Sequence, residues 1–177
     1  MNITFRSIAA LAIGSLISGL TLATPAPPPP PFLTNVGCSF GDITNATVSA
    51  CSGFYSNNLL NSGTGSTTDA DETFALNALL GMSNASFSVL QKIDDTGGAP
   101  ANFSSSLFGD TVIGIHFGNG ADKFKNALPA YNGRGGTAFY RFDAGTLGLD
   151  TVVFSSLLAG ASSGATLYYT SAVPVPE

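Results

Sequence analysis

The sequence has no tryptophan, one histidine and two cysteines, and only 10% of its 177 residues are charged. One histidine and one cysteine pair cannot complete a tetrahedral metal site, so we expect neither a metal nor another cofactor. Lysine and arginine number 6 against 11 acidic residues. Without clustered positive charge we expect no nucleic-acid partner. The composition is instead 44% hydrophobic with 21 glycines, which is typical of a compact, apolar-rich fold.

The N-terminal residues are typical of an exported protein. Residues 1–23 combine an early charge at Arg6, an apolar run over residues 8–22 and the small residue Ala23, which predicts a secretory signal peptide cleaved after Ala23. A proline-rich arm follows at residues 24–35. We expect this arm to form a stiff polyproline II segment that acts as a spacer or docks a partner. The protein is therefore predicted to be secreted or to lie at the cell surface.

The two cysteines, Cys38 and Cys51, stand close together in a chain that we expect to be exported. In an oxidising compartment a lone pair separated by a short loop is most simply a disulfide. We therefore predict a Cys38–Cys51 bond that stabilises the domain.

Residues 36–171 are predicted to form a single, mostly β domain. One amphipathic helix is expected near residues 69–80, because Asp69 and Glu72 have the spacing of a capping box and Gly81 is a typical C-terminal stop. The acidic residues at its start could also contact calcium, although no EF-hand pattern surrounds them.

Short segments of alternating apolar and polar residues fill the rest of the domain. They are "SFSVLQKID", "TVIGIHFG", "TAFYRFDA", "LDTVVFSSL" and "ATLYYTSA", joined by turns rich in glycine and asparagine. Strands at this spacing predict an antiparallel β-sandwich, of jelly-roll type. The alternation places Phe87, Val89 and Ile93 on one face of a strand. It also places Tyr168 and Tyr169 on opposite sides of the last strand, so that at most one belongs to the core.

No motif identifies a catalytic site. "GASSG" at residues 160–164 matches the nucleophile-elbow pattern, but its serine precedes a strand and the only histidine lies upstream, so we expect no catalytic residues and no enzyme. His116 is expected to be a hydrogen-bonded structural residue or, alternatively, a ligand contact. A polysaccharide hydrolase would need His116 together with two carboxylates, drawn from Asp110, Asp122, Asp143 and Asp150.

Tyrosines could provide stacking surfaces for sugars. The five tyrosines are Tyr55, Tyr131, Tyr140, Tyr168 and Tyr169. A lectin-like site would combine tyrosines and loop acids around His116 with the long connection at residues 118–136. The residues that we name as candidate ligand contacts are His116, Tyr131, Arg134 and Tyr168.

A run of sequence blocks resembles a known group of proteins. "CSGFYSNNLLN", "ALNALLG", "VIGIHFGNG", "GTAFYRFDAG", "LDT" and "SSGATLYYTSAVPVPE" are similar, in this order, to exported bacterial proteins with a PEP-CTERM sorting signal. In that family a Val-Pro-Glu-Pro signature precedes an apolar helix and a basic tail, which an exosortase removes in Gram-negative bacteria that make exopolysaccharide. Residues 172–177 match the start of this signal; the residues of the stub are Val173, Pro174, Val175, Pro176 and Glu177. We expect the signal to be truncated here.

The resemblance implies an address and a fold but no reaction. We therefore expect a structural or adhesive protein of the cell surface or extracellular matrix that associates with exopolysaccharide. The alternative is a lectin-like carbohydrate-binding module, and a third hypothesis is a hydrolase that acts on polysaccharide. An exosortase-type enzyme would be a processing partner of a full-length chain, and self-association through the proline-rich arm or an edge strand is a further expectation.

Overall fold

The computed structural model describes residues 37–98, 100–118, 135–158 and 160–172. A short 3-10 turn over Phe40–Asp42 comes first. In chain order the elements are then β1 Thr47–Ser56, α1 Ala70–Leu80, β2 Gln91–Ile93, β3 Ala101–Leu107, β4 Asp110–Phe117, β5 Gly136–Asp143, β6 Leu149–Val152 and β7 Ser162–Thr170.

The strands form two antiparallel sheets. The central sheet has five strands in the order β1-β5-β4-β7-β2, and β3 pairs with β6 in a separate two-stranded ribbon. The prediction of a mostly β, antiparallel fold with one helix is confirmed. Within the described residues, the second sheet of the expected sandwich is only this ribbon, and α1 packs on the other face of the central sheet.

Each face of the central sheet has its own hydrophobic core. The ribbon-side core joins β3 and β6 to the sheet, and its main side chains are Phe54, Phe103, Leu107, Ile113, Ile115, Phe117, Tyr140, Phe142, Val152, Phe154 and Leu167. The helix-side core joins α1 to the opposite face through Tyr55, Leu59, Leu60, Ala75, Leu76, Leu79, Val89, Val112, Phe139 and Tyr168. Two covered faces explain why every residue of β4 after Asp110 is buried and why β5 is buried except at Arg141 and Asp143.

The predicted alternation of side chains in strand β4 is confirmed. Ile113, Ile115 and Phe117 of β4 all enter the ribbon-side core, while Val112 belongs to the helix-side core. Successive side chains of a strand point to opposite faces, so one strand supplies both cores.

Helix α1 begins and ends where the sequence predicts. The carboxylate of Asp69 accepts a hydrogen bond from the Glu72 backbone N–H at 2.9 Å, and Glu72 accepts one from the Asp69 N–H at 3.4 Å. Gly81 ends the helix at φ 63°, a left-handed conformation that costs glycine little. The capping box also turns the Glu72 side chain inward, where its exposed fraction is 0%.

The predicted disulfide is present. Cys38 and Cys51 are bonded with their Cα atoms 6.0 Å apart, and both pack against the ribbon-side core. The Cys38 N–H also donates to the Gly53 carbonyl oxygen at 3.1 Å. The bond therefore fastens the segment before the 3-10 turn to strand β1.

Two parts of the strand prediction are wrong. Phe87, Val89 and Ile93 do not share a face, because the chain bends at Leu90 and only Gln91–Ile93 is a strand. Phe87 and Val89 pack in the helix-side core, whereas Ile93 packs against the ribbon-side core. Strand β3 was not predicted, since its serine-rich middle conceals the apolar alternation.

Several expectations fall on residues outside the described ranges. They are the signal peptide at 1–23, the proline-rich arm at 24–35, residues 119–134 of the long connection with Asp122, Tyr131 and Arg134, and the stub at 173–177. Among the described residues, no helix is both long enough and apolar enough to cross a membrane.

Candidate functional site

The candidate site lies on the helix-covered face of the central sheet, beside the end of α1. Arg141 of β5, Val112 of β4 and Tyr169 of β7 lie side by side across three neighbouring strands. With Asp110, Phe87 and Met82 they line a groove with a volume of about 440 Å³. We call it the tyrosine groove.

An irregularity in strand pairing brings two consecutive tyrosines into this groove. Val112 pairs with Tyr169 but the next residue, Ile113, pairs with Leu167, so Tyr168 is an extra residue in β7. Such a bulge interrupts the alternation of side chains. Tyr168 and Tyr169 therefore line the same groove, and the prediction that they face opposite sides is wrong. Tyr168 is buried, whereas Tyr169 is 49% exposed, so the expectation that at most one belongs to the core holds.

The polar rim of the groove is a two-point ion pair. Arg141 Nε lies 2.8 Å from Asp110 Oδ1, and its Nη2 lies 2.9 Å from Oδ2. The hydrogen bonds that Arg141 donates to Asp110, and then the charge of Asp110, raise the pKa of Arg141 above its ordinary value. Both side chains are close to half exposed. The pair thus presents a fixed, planar set of remaining N–H donors and carboxylate lone pairs to solvent.

The inner wall of the groove is fixed by a buried carboxylate. The Tyr168 hydroxyl donates to Glu72 Oε1 at 3.0 Å, and the Ser62 hydroxyl donates to Glu72 Oε2. Burial raises the pKa of Tyr168 well above its ordinary value, and the charge of Glu72 and the hydrogen bond to it add to the effect. Tyr168 is therefore a neutral hydrogen-bond donor held in one orientation, and its ring forms the inner wall of the groove.

The opposite wall is apolar and comes from the last residue of the helix and the segment after it. Leu80, Met82 and Phe87 line it, and the Met82 side chain is 51% exposed. Asn77 fixes this segment, because its Oδ1 accepts from the Ala85 N–H at 3.2 Å and its Nδ2 donates to the Ala85 carbonyl at 3.1 Å. Apolar surface with a few oriented polar groups is the usual lining of a ligand site.

A second groove lies on the outer side of α1, and we call it the helix groove. It encloses about 530 Å³ and is lined by Phe74 and Asn77 of the helix and by Ser83 and Asn84 beyond it. Met82 lines both grooves. The two depressions therefore meet at one side chain.

His116 does not belong to either groove. Its side chain is buried, and Nδ1 lies 3.2 Å from Thr137 Oγ1. His116 pairs with Gly164, which is four residues from Tyr168 along β7, or roughly 13 Å at the rise of a strand. The two described candidates, His116 and Tyr168, are thus not brought together.

The other described tyrosines are buried in the cores, and the other candidate carboxylates make local hydrogen bonds. Tyr55 and Tyr140 are fully buried and cannot stack on a ligand. Asp143 accepts a hydrogen bond from the Gly145 N–H at 2.8 Å, and Asp150 accepts one from Ser106. Ser162 of "GASSG" is buried and begins strand β7, which confirms that this motif leads into a strand rather than a helix.

The sequence indicates Tyr169 as a stacking surface and Asp110 as a candidate catalytic carboxylate, but not that the two lie in one site. Sequence reasoning missed Arg141 as a site residue. A usable signal was present, since Arg141 is the one charged residue within the apolar run of "TAFYRF". Its partner could not be identified, because pairing with Asp110 depends on the register between β4 and β5.

Within the part of the chain that the structure describes, no group of three or more histidine, cysteine, aspartate or glutamate side chains is placed to hold a metal ion. Comparison of the chain with protein-family models, with curated proteins and with solved structures finds no match.

Proposed function

We propose that this chain is an exported protein of the cell surface or extracellular matrix that adheres to exopolysaccharide, and that the tyrosine groove is its carbohydrate-binding surface. The observation that carries the proposal is the placement of the exposed Tyr169 ring beside the Arg141–Asp110 pair. The Cys38–Cys51 bond supports the extracellular address, because disulfides persist in oxidising compartments.

The chemistry of the groove suits a sugar. A pyranose has an apolar C–H face and an edge of hydroxyl groups, each of which both donates and accepts. Tyr169 offers an aromatic face with a polar tip, and Arg141 and Asp110 offer donors and acceptors held in one plane. Because the pair is pre-formed, its side chains lose little further conformational freedom when a ligand binds.

Binding is tested with the secreted protein on an array of bacterial exopolysaccharides, followed by calorimetric titration of the best ligand. Tyr169→Ala and Arg141→Ala should each weaken binding about tenfold, since each removes on the order of 1.4 kcal/mol of contact energy. Leu147→Ala is the matched control, because Leu147 is 97% exposed and does not line the groove. Binding that is absent, or equally strong in all variants, contradicts the proposal.

The address is tested separately. The gene is expressed in a Gram-negative host, and the medium, periplasm and cytoplasm are assayed for the protein and for cleavage after Ala23. Recovery of the uncleaved protein from the cytoplasm would contradict export.

A further inference from the structure

We infer that the tyrosine groove and the helix groove together form one extended site for an internal stretch of a linear, uncharged glycan. This inference rests on the proposed function and adds the class of ligand and its extent along the surface. Its physical basis is that Met82 lines both grooves, so a bound chain can cross from one to the other without leaving the surface.

Each groove offers a similar pair of contacts. The tyrosine groove has the exposed Tyr169 and the Arg141–Asp110 pair, and the helix groove is lined by the 38% exposed Phe74 and by Asn84, whose side chain is an amide. Repeated combinations of an aromatic face and a hydrogen-bonding group fit a polymer whose units repeat along its length. A ligand confined to one unit would use only one of the two grooves.

The charges of the described residues in the two grooves favour an uncharged ligand. The structure describes two cationic side chains, Lys92 and Arg141. Lys92 lies 3.2 Å from Asp94 and lines neither groove, and Arg141 is neutralised by Asp110. The helix groove also includes Asp69, which repels anions. Among the described residues, a polyuronate would therefore meet unfavourable charge in one groove and no free cation in the other, whereas neutral hydroxyl groups meet donors and acceptors in both.

The test is a ladder of neutral hexose oligomers, from the monosaccharide to the hexasaccharide, with oligogalacturonates of equal length as the anionic comparison. Calorimetry on the secreted protein should show affinity that rises about tenfold or more when the oligomer becomes long enough to reach both grooves, which corresponds to about 1.4 kcal/mol for the added contact. Oligogalacturonates should bind more weakly than neutral oligomers at every length.

Variants separate the two grooves. Phe74→Ala should lower the affinity of long oligomers while leaving that of short ones unchanged, and Tyr169→Ala should lower both. Leu147→Ala again serves as the control. Phe74 lies at the surface of α1, and thermal melting checks that its variant stays folded.

Affinity that is independent of length, insensitivity of the longest oligomer to Phe74→Ala, or tighter binding of oligogalacturonates would each overturn the extended neutral site. Those results leave the proposed function intact as long as Tyr169→Ala still weakens binding to the exopolysaccharide about tenfold. Loss of all saccharide binding would overturn both.

Discussion

The hydroxyl of Tyr168 donates to Oε1 of Glu72 at 3.0 Å inside the helix-side core. Tyr140 makes the same contact on the other face of the sheet, donating to Asp42 Oδ2 at 3.0 Å. Glu72 and Asp42 are each the third residue of a helical turn with a capping box. Each buried carboxylate thus ties a helical turn to the central sheet through a tyrosine. Burial of a charge is tolerated only where such partners exist.

Tyr168→Phe should destabilise the protein because it removes a hydrogen bond to a buried carboxylate. The expected loss is about 1.5–3 kcal/mol in the free energy of unfolding, the usual range for hydrogen bonds to charged groups. Urea denaturation followed by circular dichroism measures it. Tyr169→Phe is the matched control and should change stability by less than about 0.5 kcal/mol, since Tyr169 is half exposed. Equal effects of the two substitutions would contradict the structural role of the Tyr168–Glu72 contact.

The free energy of unfolding should fall as the pH rises through the alkaline range, because two tyrosines are buried. Burial, and then the nearby carboxylates, raise the pKa values of Tyr140 and Tyr168 well above 10.0. Above about pH 10 the unfolded chain loses these protons while the folded chain keeps them, so the unfolded state binds fewer protons and stability falls as pH rises. The contribution is fully present below that pH.

The expected slope is a loss of up to about 1.4 kcal/mol per pH unit for each tyrosine. Urea titrations at a series of pH values between about 9 and 11.5 measure it, and Tyr168→Phe should reduce the slope by one such increment. An unchanged slope in that variant would show that Tyr168 ionises as readily in the folded protein as in the unfolded chain.

Reduction of the Cys38–Cys51 bond should cost about 3 kcal/mol of unfolding free energy, because the bond closes a short loop in the unfolded chain. Urea denaturation with and without a reductant measures the loss. The Cys38→Ser, Cys51→Ser double variant should match the reduced protein and show no effect of the reductant. A double variant as stable as the oxidised protein would contradict the prediction.

Sequence reasoning succeeded where a single local pattern determines the structure. The capping residues fixed α1, and alternation fixed the faces of Ile113 and Phe117, because period and cap are properties of neighbouring residues. It failed where the structure depends on how distant strands align with one another. The bulge at Tyr168, the pairing of Arg141 with Asp110 and the bend at Leu90 all depend on contacts between segments distant in sequence. The candidate site is made of these features, so only its constituent residue types could be predicted.

Gly114→Ala should destabilise the protein by about 1–3 kcal/mol through overpacking. A Cβ atom at this position would lie 2.8 Å from Leu60 Cδ2 and 3.0 Å from Phe139 Cε1, both in the helix-side core. Gly63→Ala is the control, because a Cβ atom there meets nothing within 4 Å. Thermal or urea unfolding of both variants decides the matter. A Gly114→Ala protein as stable as the control would mean that Leu60 can move away without cost.

Arg141 offers a test that separates binding from stability. Its pair with Asp110 is close to half exposed, and such pairs contribute at most about 1 kcal/mol to folding. Arg141→Lys should therefore unfold at nearly the same urea concentration as the unchanged protein. Lysine keeps the charge but lacks the planar, two-point geometry, so the variant should bind exopolysaccharide about as weakly as Arg141→Ala. Calorimetry and urea denaturation on the same preparations provide both readouts. Full binding by Arg141→Lys would show that the groove requires only a positive charge, and a large loss of stability would show that Arg141 acts on the fold rather than on the ligand.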